Sequence, residues 1–184
     1  MTPCAQTAKK RTADLPDVTW YEGTGEASGR PGGEYDFVTF GSSFNVCDRP
    51  KALKETHRLL KPGKYFTCLW NHRNLDDPIQ KKIESIIKSY IPDYDYGSRR
   101  EDQTEVISES GLFETPQKIE GEILWPQKIT DTIEAWRSHA TMHRQAGDKF
   151  ATIVENIAEY LESLNVDEIE IPYTTRAWIA RRKD

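Results

Sequence analysis

The sequence contains few cysteines, and none of them belongs to a metal-binding or redox motif. The 184-residue chain has 3 cysteines, Cys4, Cys47 and Cys68, and no C-x-x-C pair occurs. This spacing argues against a disulfide framework and a structural zinc site, so we interpret all three as small apolar side chains.

His139 and His143 have the spacing of two metal ligands on a helix. Because no glutamate follows His139 as in the zincin pattern, we expect no metal.

Long apolar runs are also absent. No stretch approaches the length of a membrane span, and the N-terminus lacks the apolar core of a signal peptide. A hydrophobic content of 36% with 30% charged residues is typical of a globular protein with a polar surface. The net charge of −5 argues against nonspecific nucleic-acid binding. We therefore predict a cytoplasmic protein that binds neither nucleic acid nor a membrane.

A glycine-rich phosphate loop is the third absence. Gly23–Gly29 superficially imitates the G-x-G-x-x-G fingerprint, but its spacing is wrong by one residue. The following Arg30–Gly33 cannot open the helix that the fingerprint requires. We favour a flexible connecting loop, with a dinucleotide loop as the minor alternative, and a flavin or nicotinamide enzyme is correspondingly disfavoured.

The most informative stretch that is present runs from Tyr35 to Trp70. Tyr35–Gly41 is an apolar run typical of a strand buried on both faces, and the small polar cluster Gly41–Asn45 follows it. A helix is predicted from about Arg49 to Leu60, with Pro62-Gly63 as its end. The second strand is predicted at Lys64–Trp70, and a helix between two strands favours a right-handed parallel crossover.

The second half of the chain continues the alternation of helices and strands. Its apolar periodicity predicts more helices than strands. The predicted segments are a helix at Asp77–Tyr90, a short helix at Asp102–Ser110, a strand around Lys118–Trp125, one helix that begins at Thr130 or Asp131 and includes Trp136, Ala140 and His143, and a helix that carries Phe150 to Leu161.

Three strings are similar to the fourth-strand to fifth-strand block of class I S-adenosylmethionine-dependent methyltransferases, and more narrowly to the small-molecule branch. They are Tyr35–Thr39, Asp48–Leu53 and Arg58–Gly63. Val18–Glu22 resembles that family's third strand, and Ile171–Arg181 resembles its closing antiparallel strand. The resemblance implies an α/β fold: an incomplete Rossmann-like sheet, mostly parallel with a C-terminal antiparallel strand, plus a helical cap.

The same resemblance suggests how the chain is organised. We expect a single methyltransferase-like domain over residues 1–184. Its expected parts are a remnant of the N-terminal half with a flexible loop at 1–34, the core sheet and helices at 35–125, a helical cap at 126–165 and the closing strand at 166–184.

Half of the family's cofactor site has no counterpart in the sequence. The family has a glycine-rich loop after its first strand and an acidic residue at the end of its second strand, and both are missing here. Thr2–Arg11 resembles the helix that follows the second strand of the family. We therefore expect a truncated, incomplete enzyme. The central strand Tyr35–Gly41 would then have an uncovered edge, which predicts a homo-oligomer, a partner chain that covers it, or poor stability.

The resemblance implies a set of site residues. Thr24, Gly25 and Glu26 would lie near the adenine of S-adenosylmethionine, and Gly41 and Ser42 would line its methionine and methyl region. Structural alternatives stay open at each position, because Glu26 could be a solvated carboxylate and Ser42 could simply end a strand.

For the methyl acceptor, the resemblance and position along the chain point to Asn45, His72, Trp136 and His139. No catalytic residue is assigned, because methyl transfer from a sulfonium needs alignment of the acceptor and exclusion of water more than a strong base. The expected function is methyl transfer from S-adenosylmethionine to a small-molecule acceptor. The alternative is a non-catalytic methyltransferase-like module that works with a partner chain or a second copy.

Overall fold

The computed structural model describes residues 3–184, without the side chains of the first five residues. The interpretation of Cys4 as a small apolar side chain therefore lies outside the described residues, and so does Thr2. The helices are α1 Pro3–Arg11, α2 Arg49–Leu59, α3 Pro78–Tyr90, α4 Thr104–Glu109, α5 Ile129–Arg137, α6 Ala140–Ala146 and α7 Phe150–Ser163. The strands are β1 Tyr35–Gly41, β2 Leu60–Arg73, β3 Gln117–Lys128 and β4 Glu168–Arg181.

The strands form one mixed sheet in the order β1-β2-β4-β3. β1 pairs with β2 in parallel, with Phe37 opposite Tyr65 and Phe40 opposite Cys68. β4 runs antiparallel to β2, because the amide of Arg182 donates to the carbonyl of Lys64 while the hydroxyl of Thr67 donates to the carbonyl of Trp178. The expected α/β, Rossmann-like sheet with a closing antiparallel strand is confirmed.

The expectation that β1 is buried on both faces was wrong. Along this strand only Phe40 is buried, and Phe37 is 51% exposed beside Tyr65, which is 43% exposed. The physical reason is position, since β1 lies at one edge of the sheet formed by the described residues. A continuous apolar sequence therefore did not imply burial on both faces here.

The boundary between α2 and β2 also differs from the prediction. β2 begins at Leu60 and runs through Pro62-Gly63, so this dipeptide lies inside the strand and does not precede it. Gly63 has φ +68°, and the pairing register shifts between Tyr35 and Phe37. Proline and glycine within a strand mark an irregularity in the ladder, which explains why they resembled a turn.

Val18–Glu22 is not a strand. The amide of Val18 donates to the carbonyl of Leu15, which closes a turn, and the indole of Trp20 donates to the hydroxyl of Thr12 at 2.8 Å. The segment is thus held by local contacts in the described structure and not by a neighbouring strand, so the apolar composition that suggested a strand was misleading.

The single helix predicted from Thr130 or Asp131 through His143 is two helices. α5 ends at Arg137, and His139 caps the start of α6 by accepting a hydrogen bond from the amide of Met142. A side chain that accepts a backbone N–H at this position starts a new helix, which explains the break. His139 and His143 therefore do not lie together within one helix.

The chain divides into two compact units. Unit 1 comprises the described residues up to Leu69 with Asp102–Lys118 and Trp178–Asp184, and unit 2 comprises Trp70–Glu101 with Ile119–Ala177. The core of unit 1 includes a chain of aromatic contacts, and that of unit 2 is largely aliphatic. The aromatic residues of unit 1 are Phe40, Phe44, Phe66 and Phe113, and the aliphatic cluster of unit 2 includes Ile83, Ile87, Ile133, Ile153, Ile157, Leu161 and Ile171.

Candidate functional site

In unit 1, a tight turn lies against the carboxyl end of β1. Thr24 and Ala27 exchange backbone hydrogen bonds of 3.1 and 3.2 Å, which closes the turn around Gly25 and Glu26. Gly25 is closely packed, because a Cβ there would lie 2.6 Å from the Sγ of Cys47 and 3.1 Å from the ring of Phe40. This close approach explains the glycine by packing, without any ligand.

Glu26 fastens the same turn to the segment after β1. Its carboxylate accepts a hydrogen bond of 2.7 Å from the backbone amide of Asp48, and this bond holds the pKa of Glu26 below its usual value. Asp48 in turn caps α2 by accepting from the amide of Lys51. The structure thus brings Gly25 and Glu26 to the end of β1, where both have a structural contact.

Gly41 and Ser42 lie where β1 ends. A Cβ at Gly41 would meet no described atom within 4 Å, so packing does not require a glycine there. Ser42 has φ +51°, an unfavourable conformation for a residue other than glycine, and its amide donates to the carbonyl of Leu69 at 2.8 Å. Asn45 follows in a short 3₁₀ turn, Phe44–Val46.

A second polar cluster in unit 1 is fully paired. One oxygen of Glu55 accepts from the amide and hydroxyl of Ser28, and both oxygens accept from the guanidinium of Arg58. The guanidinium is the main cause that lowers the pKa of Glu55 to about 2. Arg58 also donates to the carbonyl of Arg30 at 2.7 Å. This network fixes the loop after the turn to α2.

Unit 2 contains a pocket of about 200 Å³ whose polar lining is dominated by arginine. Arg73 lies at the end of β2, and Arg99 and Arg100 lie in a 3₁₀ turn, Gly97–Arg100. The guanidinium of Arg73 is 4.5 Å from the ring centre of Trp136, and that of Arg100 is 4.4 Å from the ring centre of Tyr96. The aromatic faces hold the guanidinium planes in place.

His139 lines the same pocket and stacks on Trp136 at 4.9 Å. Burial, aided by Arg99 and Arg73, lowers the pKa of His139 to about 4, so the ring is neutral at pH 7. Because Nδ1 accepts from the amide of Met142, the proton of the neutral ring is assigned to Nε2. His139 is therefore a hydrogen-bond donor on the side away from its cap.

His72 does not line this pocket. Its side chain is 3% exposed, and neither ring nitrogen has a hydrogen-bond partner in the described part of the chain. Burial, reinforced by Arg100, Arg176 and Arg99, lowers its pKa to about 4, against the opposing effect of Glu120. His72 is thus a buried neutral residue.

The structure brings Trp136 and His139 together in one pocket, whereas Asn45 lies in unit 1 and His143 packs its ring edge-on against Phe150. Sequence reasoning missed the three arginines. The sequence signal for Arg99 and Arg100 is the run from Tyr94 to Arg100, in which two tyrosines and a glycine precede the arginine pair, and Arg73 has no such signal. Among the described residues, no group of three or more His, Cys, Asp or Glu side chains could hold a metal ion.

The fold is shared with several solved structures. The YcgJ protein from Bacillus subtilis matches all of this chain and 80% of its own, with a TM-score of 0.57 and 15% identity. Two structures described as putative methyltransferases, from Bacillus halodurans and Anaeromyxobacter dehalogenans, match with TM-scores of 0.53 at 13% and 15% identity and cover 81% and 72% of their chains. These likenesses cover 100% and 91% of the present chain. They define the Rossmann-like fold of class I methyltransferases.

The sequence narrows this class. Residues 1–96, just over half of the chain, match the profile of the ubiE/COQ5 methyltransferase family, and the chain belongs to this family. The ubiquinone/menaquinone biosynthesis C-methyltransferase UbiE of Caulobacter vibrioides is 34% identical over 79 residues, which are 42% of this chain and 31% of that protein. The demethylmenaquinone methyltransferase of Staphylococcus epidermidis is 37% identical over 87 residues, 47% of this chain and 36% of that protein. The chain spans about a third of the length of these curated relatives.

Proposed function

We propose that this chain takes part in methyl transfer from S-adenosylmethionine to a small-molecule acceptor. Membership of the ubiE/COQ5 family supports the reaction class, and two relatives are named as methyltransferases of quinone biosynthesis. Demethylmenaquinone is accordingly the first acceptor to assay. The observation that carries the proposal is Gly41, a glycine at the carboxyl end of β1 that packing does not explain.

The cofactor would bind at the carboxyl end of β1. In an α/β sheet, ligands bind beyond the carboxyl ends of the strands, and a glycine there lets a ligand approach the backbone closely. Thr24, Gly25 and Glu26 would face the adenine, and Gly41 and Ser42 the methionine part. The sulfonium carries its own leaving group, so the protein has to position the acceptor and exclude water.

Trp136 and His139, which line one pocket of unit 2, would face the acceptor. Asn45 lies in unit 1 and the buried His72 does not line that pocket, so neither is assigned to it. A neutral His139 could accept no second hydrogen bond while it caps α6, so it would orient the acceptor by donation.

A division into a core at 35–125, a cap at 126–165 and a closing strand at 166–184 stays a prediction, as does a cytoplasmic location. No helix among residues 3–184 is long and apolar enough to cross a membrane.

Calorimetric titration with S-adenosylmethionine and S-adenosylhomocysteine tests the proposal. We expect saturable binding that Gly41→Ala weakens roughly tenfold or more, about 1.4 kcal/mol, while the melting temperature stays unchanged. Gly121→Ala is the matched control, because a Cβ at Gly121 also meets no described atom within 4 Å. Folded protein that binds neither compound, or equal affinity in the wild type and both variants, contradicts the assignment.

A non-catalytic module is the second candidate. The exposed pair of Phe37 and Tyr65 at the edge of the sheet favours it, because apolar edges recruit further strands or chains. Light scattering separates the two candidates when combined with the titration. A stable self-associated species without cofactor binding supports the module, whereas a monomer that binds the cofactor supports the enzyme.

A further inference from the structure

The pocket of unit 2 has an unusual hydrogen-bond inventory. The Nε atoms of Arg73, Arg99 and Arg100 and the indole Nε1 of Trp136 are buried and have no partner among the described residues. All four atoms are donors. Buried donors without acceptors are rare in folded proteins, and a ligand is one of the few explanations for several at one place.

The charge of the pocket is equally unbalanced. None of the three arginines has an ion pair within the described residues. Glu84 is the one carboxylate on the wall of this pocket, and it pairs with Lys88 at 3.0 Å. Arg100 donates one bond, of 3.0 Å, to the backbone carbonyl of Arg73. Glu84 acts on the charge of Arg100 but also pairs with Lys88, so three positive charges line the pocket with one shared carboxylate.

We propose that this pocket binds the oxyanion group, carboxylate or phosphate, of a small organic acid with a flat ring or unsaturated group. Guanidinium groups form paired hydrogen bonds with such oxyanions. Tyr173, whose ring centre is 6.0 Å from the guanidinium of Arg73, provides an aromatic wall for the remainder of the ligand. Burial lowers the pKa of Arg99 and Arg100, which is the desolvation that an anion would offset.

The volume limits the size of the ligand. About 200 Å³ is below the roughly 300 Å³ at which pockets for drug-sized ligands begin, so the bound part is a small acid or the anionic end of a larger molecule. Identification of this acid with the methyl acceptor rests on the proposed function. Binding of the anion itself does not, and it can be tested without cofactor.

Benzoate and its neutral isostere benzamide are the first probes, with inorganic phosphate to distinguish the two oxyanions. In calorimetric titrations of the full chain we expect saturable binding of benzoate or phosphate and at least tenfold weaker binding of benzamide. Arg99→Gln should weaken anion binding roughly 10- to 100-fold, the range for a hydrogen bond to a charged group. Arg99→Lys should restore part of the affinity, because it returns the charge without the planar fork.

Arg137→Gln is the control variant, because Arg137 is exposed, is paired with Glu134 and does not line this pocket. It should bind like the wild type. The melting temperature of Arg99→Gln without ligand should stay the same or rise, whereas a purely structural arginine would give a fall. Equal binding of benzoate and benzamide, no anion binding by folded protein, or a loss of affinity in Arg137→Gln equal to that in Arg99→Gln overturns the proposal. Cofactor binding and its dependence on Gly41 are measured in a separate titration, so failure of the anion proposal does not affect the assignment of the cofactor site.

Discussion

Two polar clusters of the molecule differ in how their charged side chains are paired. In unit 1, Glu55 meets Arg58 and Ser28, and Glu26 meets the amide of Asp48, so each carboxylate has a partner in the protein. In unit 2, Arg73, Arg99 and Arg100 line a pocket without a carboxylate partner among the described residues. Paired charges stabilise a fold, and buried unpaired ones destabilise it unless a ligand completes them. Substitutions should therefore have opposite effects in the two regions.

The largest effect is expected at Gly25. Gly25→Ala should lower the free energy of unfolding by about 2–3 kcal/mol, because the new methyl group overlaps Cys47 and Phe40. Denaturant unfolding measures this loss. The double variant with Cys47→Ala should recover part of the stability, since it removes the sulfur at 2.6 Å. Gly121→Ala is the control, and an equal loss there would show that the effect is not local packing.

Glu55→Gln should cost about 1–2 kcal/mol, because the amide cannot accept from both Ser28 and Arg58 as the carboxylate does. The wild-type network contributes stability above the ordinary carboxyl pKa and loses it as pH falls from about 4.5 toward 2. Urea titrations of both proteins at pH 7 and pH 3 measure the difference. The difference in the free energy of unfolding between the two proteins should be smaller at pH 3 than at pH 7. An equal difference at both pH values would contradict the role of the Glu55 charge.

His72 provides a prediction for a buried side chain in unit 2 that has no hydrogen-bond partner among the described residues. Its folded pKa of about 4 lies below the ordinary histidine pKa of 6.5, so the unfolded chain binds the proton first and stability falls as pH falls through this window. Between pH 6.5 and 5.5 His72 should contribute a loss of about 1 kcal/mol, and His139, whose pKa is also about 4, should contribute a similar loss. His72→Gln should remove about half of this dependence, because His139 still titrates in the same range. A wild-type stability that does not change in this range would refute the burial of a neutral His72.

The smallest effect on stability is expected at Arg100. Arg100→Gln removes one of three neighbouring positive charges and loses one hydrogen bond to the carbonyl of Arg73, so the two contributions oppose each other. The net change in the free energy of unfolding should stay within about 0.5 kcal/mol. Thermal unfolding at low and high salt measures it, and a loss above 2 kcal/mol would place Arg100 in the structural framework.

Local signals explain what the sequence could predict. β1 was predicted with the bounds observed, and the capped helices α2 and α3 within one residue, because a proline in the first turn and an aspartate cap are encoded by neighbouring residues. The assignment of Gly25 and Glu26 to the adenine rests on family resemblance and stays a prediction. The burial of β1 was not predictable, since it depends on which strand pairs beside it.

The arginine pocket shows why the rest escaped prediction. Arg73, Arg99 and Trp136 are far apart in the sequence and meet only through the packing of α3 and α5 around them. His139 was expected within a long helix, whereas its role as a cap depends on a break that periodicity cannot reveal. Whether a side chain has a hydrogen-bond partner depends on the folded chain, so no local sequence pattern indicates it.

The most direct test of the comparison is NMR observation of the arginine Nε–H signals during a titration with benzoate. Arg58 serves as the internal reference, because its Nε already donates to Glu55 at 2.7 Å. We expect saturable shifts and slower solvent exchange for Arg73, Arg99 and Arg100, with Arg58 unchanged. Shifts of the same size at Arg58, or no shift at the three pocket arginines, would show that their lack of partners does not mark a binding site.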